Sequence, residues 1–284
     1  MSTNERVWTV LSMLEWATEY FRERDVQDPR LSIEWLLSEI LTVKRLDLYL
    51  QFDRPLSSDE LDALRPLIQR RAKHEPLQHI TGTADFMNTT LSVNSEVLIP
   101  RIETEQLVDL LLDQSKSNSD QPFNVIDLGT GSGCIPIAIK KNRPSWICTG
   151  IDISDTALEL ASKNAHRNSV DVTFLKADIE NLQDQMDDHW DIVISNPPYI
   201  TLSEKNELHK QVIDYEPHLA LFYENPLQLY KKIVVFAANC RAKLYLECND
   251  KTAEEVSRMA KDYFREVNLL NDLDGNKRFV IAFG

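Results

Sequence analysis

The chain has 284 residues, of which 43% are hydrophobic and 27% charged, and its formal net charge at pH 7 is −14. This length and composition predict a globular protein of one large domain or, more readily, two. No apolar run approaches the roughly 20 residues needed to cross a bilayer, so we expect no membrane contact. The acidic balance argues against broad attraction to nucleic acid, of which we expect no direct binding, and would suit a basic protein partner.

The start of the chain and its cysteines indicate the compartment. Residues 1–8 have neither the basic segment and apolar core of a secretory signal nor the arginine-rich, acid-poor composition of an import leader, so we expect a cytoplasmic protein. The six histidines are scattered, and the four cysteines include no C-x-x-C pair: Cys134, Cys148, Cys240 and Cys248. We therefore predict buried thiols and no metal site.

Residues 1 to 76 are predicted to form a small helical domain. Asp28 and Pro29 supply an N-cap and a first-turn proline, and Ser57 with Glu60 matches a capping box. The helix after Pro29 carries apolar residues on one face: Ile33, Leu36, Leu37, Ile40 and Leu41. Helices this short are marginal alone, so their apolar faces must pack together. Recognition of a partner and a purely structural cap are equally good interpretations of this domain.

From Ile80 to Ile99 the apolar period changes from 3.6 to 2, and residues 77 to 100 are therefore predicted to form a β-hairpin linker. Turn chemistry occurs at residues 88–90 and 94–95. Three apolar residues have the spacing of strands: Leu91, Val93 and Val97. A leucine-rich helix should follow, ended by a polar loop from Ser115 to Gln121.

Residues 101 to 284 are predicted to form an α/β domain. Beyond Pro122, short β-rich runs alternate with amphipathic helices, which is typical of a parallel sheet. Seven candidate strands fit one such domain: Asn124–Leu128, Ile147–Ile151, Val172–Leu175, Asp191–Ser195, Lys243–Glu247, Glu266–Leu270 and Phe279–Phe283.

A glycine cluster follows the first of these strands. Gly129, Gly131 and Gly133 are three of only seven glycines in the chain, and their position predicts a backbone that bends sharply and approaches a ligand closely. A dinucleotide fingerprint would need glycine at Cys134, and a P-loop would need G-K-[ST]. The spacing G-x-G-x-G, preceded by Asp127, is instead typical of S-adenosylmethionine enzymes. Chance clustering of glycines in a loop is the alternative.

Acidic residues end the next two predicted strands. Asp152, 19 residues after Gly133, is placed where a carboxylate can accept hydrogen bonds from both hydroxyls of a ribose. A simple turn aspartate is the alternative. Asp178 ends the third β-α unit and, with Ile179, would flank an adenine ring.

The fourth predicted strand ends in Asn196-Pro197-Pro198-Tyr199. The side-chain oxygen of Asn196 and the carbonyl of Pro197 are acceptors, and neither proline has a competing N–H. Two rigid acceptors suit an NH₂ group, whose conjugated lone pair they would make more nucleophilic, while Tyr199 would supply an aromatic wall. A primary amide and an exocyclic amine both satisfy this description. The alternative without a catalytic role is a β-to-α turn stiffened by its prolines.

Taken together, these motifs resemble those of the release factor glutamine methyltransferases (the PrmC/HemK family). The resemblance rests on the run from Asp127 to Gly133, on Asp152 and on the Asn196–Tyr199 loop. Further stretches narrow the match to this family: residues 75–82, 98–105, 215–217, 220–221 and 272–278. They extend it over essentially the whole chain.

The resemblance implies a five-helix-type N-terminal domain, a hairpin linker and a class I S-adenosylmethionine-dependent methyltransferase domain with a Rossmann-like seven-stranded sheet. It implies N5-methylation of the glutamine in the Gly-Gly-Gln loop of class-1 peptide chain release factors, which tunes translation termination. The family's glutamine-binding loop falls on Asn196, Pro197, Pro198 and Tyr199. Its cofactor contacts fall on the following residues: Gly129, Thr130, Gly131, Ser132, Gly133, Asp152, Ile179 and Asn196. We expect a monomer.

Three stretches depart from the family's pattern. Ile102 stands where a second proline is usual, residues 222–225 replace a glycine-rich turn, and Cys248 and Asn249 replace the usual residues after Glu247. All lie outside the glycine and Asn196–Tyr199 loops, so we expect them to affect loop geometry more than activity. The remaining alternatives are a ribosomal-protein glutamine methyltransferase, an adenine-N6 DNA or RNA methyltransferase and a non-catalytic S-adenosylmethionine-binding scaffold.

Overall fold

A computed structural model of the protein describes residues 7–116, 121–186 and 189–284. The chain divides into two compact units, one of Met1–Gly82 with His209–Tyr215 and one of Thr83–Leu208 with Glu216–Gly284. The functional division at residues 76 and 100 stays a prediction. The hairpin predicted from residue 77 begins only at Thr83, because Leu77–Thr81 form a helix of the first unit. Two predictions fall partly outside the described residues: the composition of residues 1–8, of which residues 1–6 are not described, and the polar loop, of which residues 117–120 are not described. None of the helices in the described part of the chain is long and apolar enough to span a membrane.

The first unit is helical. Its elements before residue 83 are α1 (Val10–Arg22), α2 (Pro29–Leu41), a 3-10 helix (Arg45–Leu50), α3 (Ser58–Arg71) and α4 (Leu77–Thr81). Their apolar faces form one core, which includes Val10, Leu14, Phe21, Ile33, Leu36, Leu37, Leu48 and Leu64. Buried Arg71 ties residues 209–215 to this unit, because its guanidinium donates to Gln211 Oε1 at 2.7 Å and to the Gln27 carbonyl at 2.9 Å.

Two predicted helix starts had different outcomes. The capping box at α3 is confirmed, because Ser57 Oγ accepts from Glu60 N at 3.2 Å and Glu60 Oε2 accepts from Ser57 N at 2.8 Å. Pro29 begins α2 as predicted, but Asp28 makes no side-chain cap. Its backbone has φ +49°, in the left-handed region, rather than the extended conformation that aims a capping oxygen at the first helical N–H groups.

The second unit begins with an antiparallel hairpin of β1 (Thr83–Phe86) and β2 (Thr89–Ser92). Phe86 pairs with Thr89, so the turn consists of residues 87–88 rather than the predicted 88–90. Val93 and Val97 are buried as expected but lie beyond β2 in irregular backbone. Their apolar character therefore reflects packing and not strand pairing.

The rest of this unit alternates helices and strands. Its elements are α5 (Ile102–Gln114), β3 (Asn124–Leu128), α6 (Cys134–Asn142), β4 (Ile147–Asp152), α7 (Asp155–Arg167), β5 (Thr173–Lys176), α8 (Leu182–Gln185), β6 (Ile192–Ser195), α9 (Lys210–Tyr215, which belongs to the first unit), α10 (His218–Leu221), α11 (Pro226–Asn239), β7 (Lys243–Glu247), α12 (Ala253–Ala260), β8 (Glu266–Asn271) and β9 (Lys277–Phe283). Within the described residues, seven strands form one sheet in the order β5-β4-β3-β6-β7-β9-β8. The predicted seven-stranded α/β domain is confirmed.

The expectation of a parallel sheet is wrong for β9. This strand pairs antiparallel with both β7 and β8, whereas the pairs from β5 to β7 are parallel. Only residues 272–276 separate β8 from β9. Five residues can close a hairpin but cannot make the crossover that a parallel pair requires.

Two apolar cores cover the two faces of the sheet. One includes Ile126 and Val193 with α11 and α12, and the other includes Val125 and Ile194 with α5, α6 and the hairpin. The strand order reverses beside β3, whose neighbours are β4 and β6. At such a switch point the carboxyl ends of the strands border a crevice, which is where open α/β sheets bind ligands.

Candidate active site

A cavity lies at the carboxyl ends of β3, β4 and β6. Seven of the predicted site residues line it: Gly129, Gly131, Asp152, Asp178, Ile179, Asn196 and Pro198. The structure instead buries Asp127 at the end of β3, and Thr130, Ser132 and Gly133 within the glycine loop, away from the cavity lining. Pro197 is buried beside Asn196. The structure therefore brings the glycine loop, the two strand-end acids and the Asn196 loop to one place.

The three loop glycines meet different constraints. All have positive φ, which favours glycine. A Cβ on Gly131 would meet no atom within 4 Å, whereas one on Gly133 would lie 3.0 Å from Ala161 Cβ. Gly131 thus leaves space at the cavity, while Gly133 allows the loop to pack on α7.

A further glycine, Gly150 in β4, was missed by the sequence analysis. A Cβ there would lie 2.6 Å from Thr130 Oγ1 and 2.9 Å from the ring of Phe174. The glycine loop therefore lies directly against the backbone of β4. Its signal in the sequence was a glycine inside a predicted strand, which marks a close approach of another chain segment.

Asp152 is held at the cavity by backbone N–H groups. Its Oδ2 accepts from Gly131 N at 2.9 Å, and its Oδ1 accepts from Ser154 N at 3.0 Å. Ser154 in turn caps α7 by accepting from Ala157 N. The carboxylate keeps further lone pairs for ligand hydroxyls, because each oxygen can accept more than one hydrogen bond.

Asp127 lies beneath the same loop in a different environment. It is fully buried, and neither carboxylate oxygen has a partner at full hydrogen-bonding geometry among the described residues, although the nearby Thr130 hydroxyl acts to lower the pKa of Asp127. Burial, together with the negative charge of Asp152, raises the pKa of Asp127 to about 7. A buried carboxylate without a donor is costly, and a cationic ligand nearby would compensate for that cost.

The lining of the cavity suits such a ligand. Its acidic residues are Glu96, Asp152, Asp178 and Glu180, and no lysine or arginine is among the described residues that line it. Apolar side chains complete the wall, including Val97, Ile179 and Leu229. Asp178 also accepts from Glu180 N at 2.9 Å, which stabilises the turn that presents Ile179. Acids beside apolar walls fit a cationic nucleoside such as S-adenosylmethionine.

Asn196 is anchored by a chain of buried hydrogen bonds. Its Nδ2 donates to Thr104 Oγ1 at 2.9 Å, and the Thr104 hydroxyl donates to Glu247 Oε2 at 2.7 Å. Tyr199 OH donates to the other oxygen, Glu247 Oε1, at 3.3 Å. Glu247 is 1% exposed, and burial raises its pKa to about 7. An aromatic-wall role for Tyr199 stays a prediction.

Thr104 and Glu247 were not predicted as site residues. Thr104 lies in the 98–105 stretch that carried the family resemblance, and Glu247 ends the predicted strand that became β7. The usable signal was an acid at a strand end, the same signal that pointed to Asp152. This signal alone could not predict a site role for Glu247, because the sequence does not indicate that β7 lies beside β6 in the sheet.

Other bonds fix the backbone around Asn196. Ser195 Oγ donates to the carbonyl of Leu128 at 2.6 Å, which joins the ends of β6 and β3. Glu216, whose side chain is fully buried, pairs with Arg101 at 2.6 Å and accepts from Ile99 N at 3.3 Å. These last contacts join the 98–105 stretch to Glu216 within the second unit.

The three departures from the family's pattern have defined places. Ile102 begins α5 and is 69% exposed. Within residues 222–225, Tyr223 lines the cavity and Asn225 caps α11. The Cys248 carbonyl accepts from Arg278 at 3.1 Å and Asn249 Oδ1 accepts from Lys251 N at 3.0 Å. Each replacement is accommodated by local contacts.

Within residues 7–116, 121–186 and 189–284, no group of three or more His, Cys, Asp or Glu side chains is arranged to hold a metal ion. Cys134, Cys148 and Cys248 are buried and Cys240 is half-buried.

The sheet order, the glycine loop and the cavity define a class I S-adenosylmethionine-dependent methyltransferase fold. Residues 12–82 match the model of the PrmC N-terminal domain, and residues 101–218 match that of the methyltransferase small domain. The chain is 38% identical to a release factor glutamine methyltransferase of Leptospira interrogans over 96% of this chain and 97% of that protein. It is 34% identical to one of Rhodopirellula baltica over 98% and 97%, respectively. The chain belongs to the release factor glutamine methyltransferase family.

Solved structures agree on the fold alone. The hMettl16 catalytic domain in complex with a MAT2A 3′UTR hairpin superposes with a TM-score of 0.53 and 16% identity, covering 77% of this chain and 81% of that one. The Thermus thermophilus 16S rRNA methyltransferase RsmC superposes with a TM-score of 0.50 and 14% identity, covering 71% and 49%. Both confirm the predicted methyltransferase fold.

Proposed function

We propose that this chain transfers the methyl group of S-adenosylmethionine to the side-chain amide of a glutamine in a peptide chain release factor. The observation that carries the proposal is Asn196, which lines the cavity at the end of β6 with its Nδ2 held by Thr104. This arrangement leaves Asn196 Oδ1 available as an acceptor beside the cofactor cavity. Relatives named release factor glutamine methyltransferases match the chain over nearly its whole length.

The cofactor would be held by the glycine loop and the strand-end acids. We infer that Asp152 accepts the ribose hydroxyls, that Asp178 and Ile179 flank the adenine, and that Gly129 and Gly131 leave room for the cofactor. The desolvated charge of Asp127 would attract its cationic part. The chemistry that S-adenosylmethionine supplies when bound is an electrophilic methyl group on a sulfonium sulfur.

The Asn196 loop would orient the nucleophile. Asn196 Oδ1 and the Pro197 carbonyl accept hydrogen bonds from the two N–H groups of the substrate amide. These bonds increase the electron density on the amide nitrogen. The two prolines cannot donate and hold the acceptors rigidly. Positioning of this kind is worth roughly 7–11 kcal/mol of barrier reduction, and preorganised dipoles in a dry site add to it. The nitrogen can lose its proton after transfer, so no strong base is needed.

The finer assignment is N5 of the glutamine in the Gly-Gly-Gln loop of class-1 release factors, in the cytoplasm, without direct binding of nucleic acid. The net charge of −14 supports the last point, because phosphate contacts require a cationic surface. A monomeric state stays a prediction, which sedimentation at several concentrations would test.

The decisive experiment is transfer of labelled methyl from S-adenosylmethionine to a panel of substrates. The panel contains a class-1 release factor, the same factor with its loop glutamine replaced by alanine, a ribosomal protein and duplex DNA. We expect label on the unmodified release factor alone. Label on the ribosomal protein or on DNA, with none on the release factor, would overturn the proposal.

A cofactor-site variant completes this test. Asp152→Ala should weaken S-adenosylmethionine binding by roughly tenfold or more, because it removes an acceptor for both ribose hydroxyls. Calorimetry that shows unaltered affinity would remove Asp152 from the cofactor site.

A further inference from the structure

The side chain of Asn196 presents a problem of orientation. The two ends of a primary amide have nearly the same shape, but only the oxygen can accept a substrate N–H. If the amide were flipped, its NH₂ would face the substrate and donate instead. Methyl transfer therefore needs a group that distinguishes the two ends.

Thr104 contacts Asn196 at the required end. The Thr104 side chain is 3% exposed, and its Oγ1 lies 2.9 Å from Asn196 Nδ2 and 2.7 Å from Glu247 Oε2. A hydroxyl has one proton to donate. Because Thr104 donates this proton to a carboxylate, its oxygen can only accept from Asn196, and the NH₂ end of the amide must face it.

We propose that Thr104 and Glu247 are positioning residues that set the orientation of the Asn196 amide, and so keep its oxygen toward the substrate. This inference rests on the proposed function. Glu247 acts through Thr104, and neither residue lines the cavity in the described part of the chain. Their effect should therefore appear in turnover more than in binding.

The charge of Glu247 decides the direction of the hydrogen bonds. An ionised Glu247 can only accept, which forces the arrangement just described. A protonated Glu247 could donate to Thr104, and Thr104 could then donate to a flipped Asn196. Burial raises the pKa of Glu247 to about 7, so this change falls in an accessible range. The groups that face Glu247 are Glu103, Thr104, Cys134, Tyr199, Tyr230, Cys248 and Arg278.

The first test removes only the hydroxyl of Thr104. Thr104→Val keeps the volume, and we expect kcat to fall by about 10- to 100-fold, as for the loss of one buried orienting hydrogen bond. The Kd of S-adenosylmethionine and the KM of the release factor should change less than threefold. Thr104→Ser should restore most of the turnover.

Thr89→Val is a matched control. Thr89 is also buried, at 4% exposure, and its hydroxyl donates to the Phe86 carbonyl at 2.7 Å in the β1–β2 hairpin. This variant loses a comparable hydrogen bond that lies within the hairpin and involves neither Asn196 nor Glu247. It should lower stability about as much as Thr104→Val and leave kcat unchanged.

The second test uses pH at saturating cofactor and substrate. Wild-type kcat should rise as the pH increases through about 7, because ionisation of Glu247 locks the amide. Glu247→Gln keeps an acceptor for Thr104 but cannot ionise, so its kcat should not follow this rise. The side-chain amide resonance of Asn196 in ¹H–¹⁵N spectra should shift over the same pH range in wild type and stay constant in Glu247→Gln.

The outcomes separate this inference from the proposed function. If wild type methylates the release factor and Thr104→Val turns over equally fast, the positioning role is refuted. An Asn196 resonance that titrates equally in Glu247→Gln also refutes it. If wild type does not methylate the release factor at all, the proposed function fails, while the spectra still test the orientation of Asn196.

Discussion

Two buried carboxyl groups at neighbouring strand ends have opposite surroundings. Asp127 is the last residue but one of β3 and Glu247 is the last residue of β7, and these two strands flank β6. Strand alternation places both on the face of the sheet covered by α5 and α6, because Val125 and Tyr245, two positions earlier, belong to that core. Burial raises both pKa values to about 7.

Hydrogen bonding distinguishes the two groups. Glu247 accepts from Thr104 and Tyr199, whereas Asp127 has no partner among the described residues. Glu247 is absent from the described lining of the cavity and accepts from two hydroxyls of the protein, so it can orient these neighbours. Asp127 meets no donor at hydrogen-bonding geometry among the described residues and is open to a positive charge. We infer that the β3 end supports cofactor binding and that the β7 end supports the geometry of the nucleophile.

The largest expected effect lies between them, at the end of β6. Asn196→Ala should lower kcat by roughly 10³-fold while S-adenosylmethionine still binds, because the loss of one preorganised group at the reacting atoms has about this cost. Single-turnover transfer to the release factor and calorimetry measure the two quantities. Unchanged turnover would show that Asn196 is not the acceptor.

The second prediction concerns stability against pH. A buried acid with a raised pKa binds its proton more tightly in the folded state than in the unfolded state. Protonation of this acid therefore stabilises the folded state fully below about pH 4, and this stabilisation is lost as the pH rises through 7. At about 1.4 kcal/mol per pKa unit, ionisation at pH 8 lowers the free energy of unfolding by about 4 kcal/mol for Asp127 and about 3 kcal/mol for Glu247.

Urea denaturation of the cofactor-free protein tests this prediction. Asp127→Asn and Glu247→Gln should each gain stability relative to wild type as the pH rises from 5 to 8, because neither amide can ionise. The same difference from wild type at both pH values would contradict it. Comparing each variant with wild type removes the contribution of the other titrating groups.

The third prediction separates the two carboxyl groups directly. Asp127→Asn should weaken S-adenosylmethionine binding by roughly 10- to 100-fold at pH 8, since a desolvated charge interaction is worth about 1.5–3 kcal/mol. Glu247→Gln should change the affinity less than threefold. Equal effects in calorimetry would end the distinction between the two strand ends.

The smallest expected effect tests the packing of the loop above Asp127. Gly150→Ala places a methyl group against Thr130 and Phe174, so the glycine loop must shift. We expect a loss of about 1 kcal/mol in unfolding free energy, at the low end for overpacking, because a shift of the loop relieves the contact. A variant as stable as wild type in thermal denaturation would show that the loop adjusts without cost.

Much of the fold followed from the sequence, because its signals are local. Six of the seven predicted strands overlap the observed ones to within one residue at each end, and the seventh, β9, begins two residues earlier than predicted. The error in the direction of β9 has a different cause. A run such as Phe279–Phe283 indicates a strand, but its apolar pattern is the same in parallel and antiparallel pairs.

The candidate site divides in the same way. The sequence determined the glycine loop, Asp152 and the Asn196–Tyr199 loop, since each motif is contiguous or ends a strand, and parallel strands end at one edge. Only the tertiary structure decided that Thr104 meets Glu247 across 143 residues of chain and that Asp127 has no such partner. Those relations depend on strand order and side-chain register, which bring distant residues together and leave no local pattern in the chain.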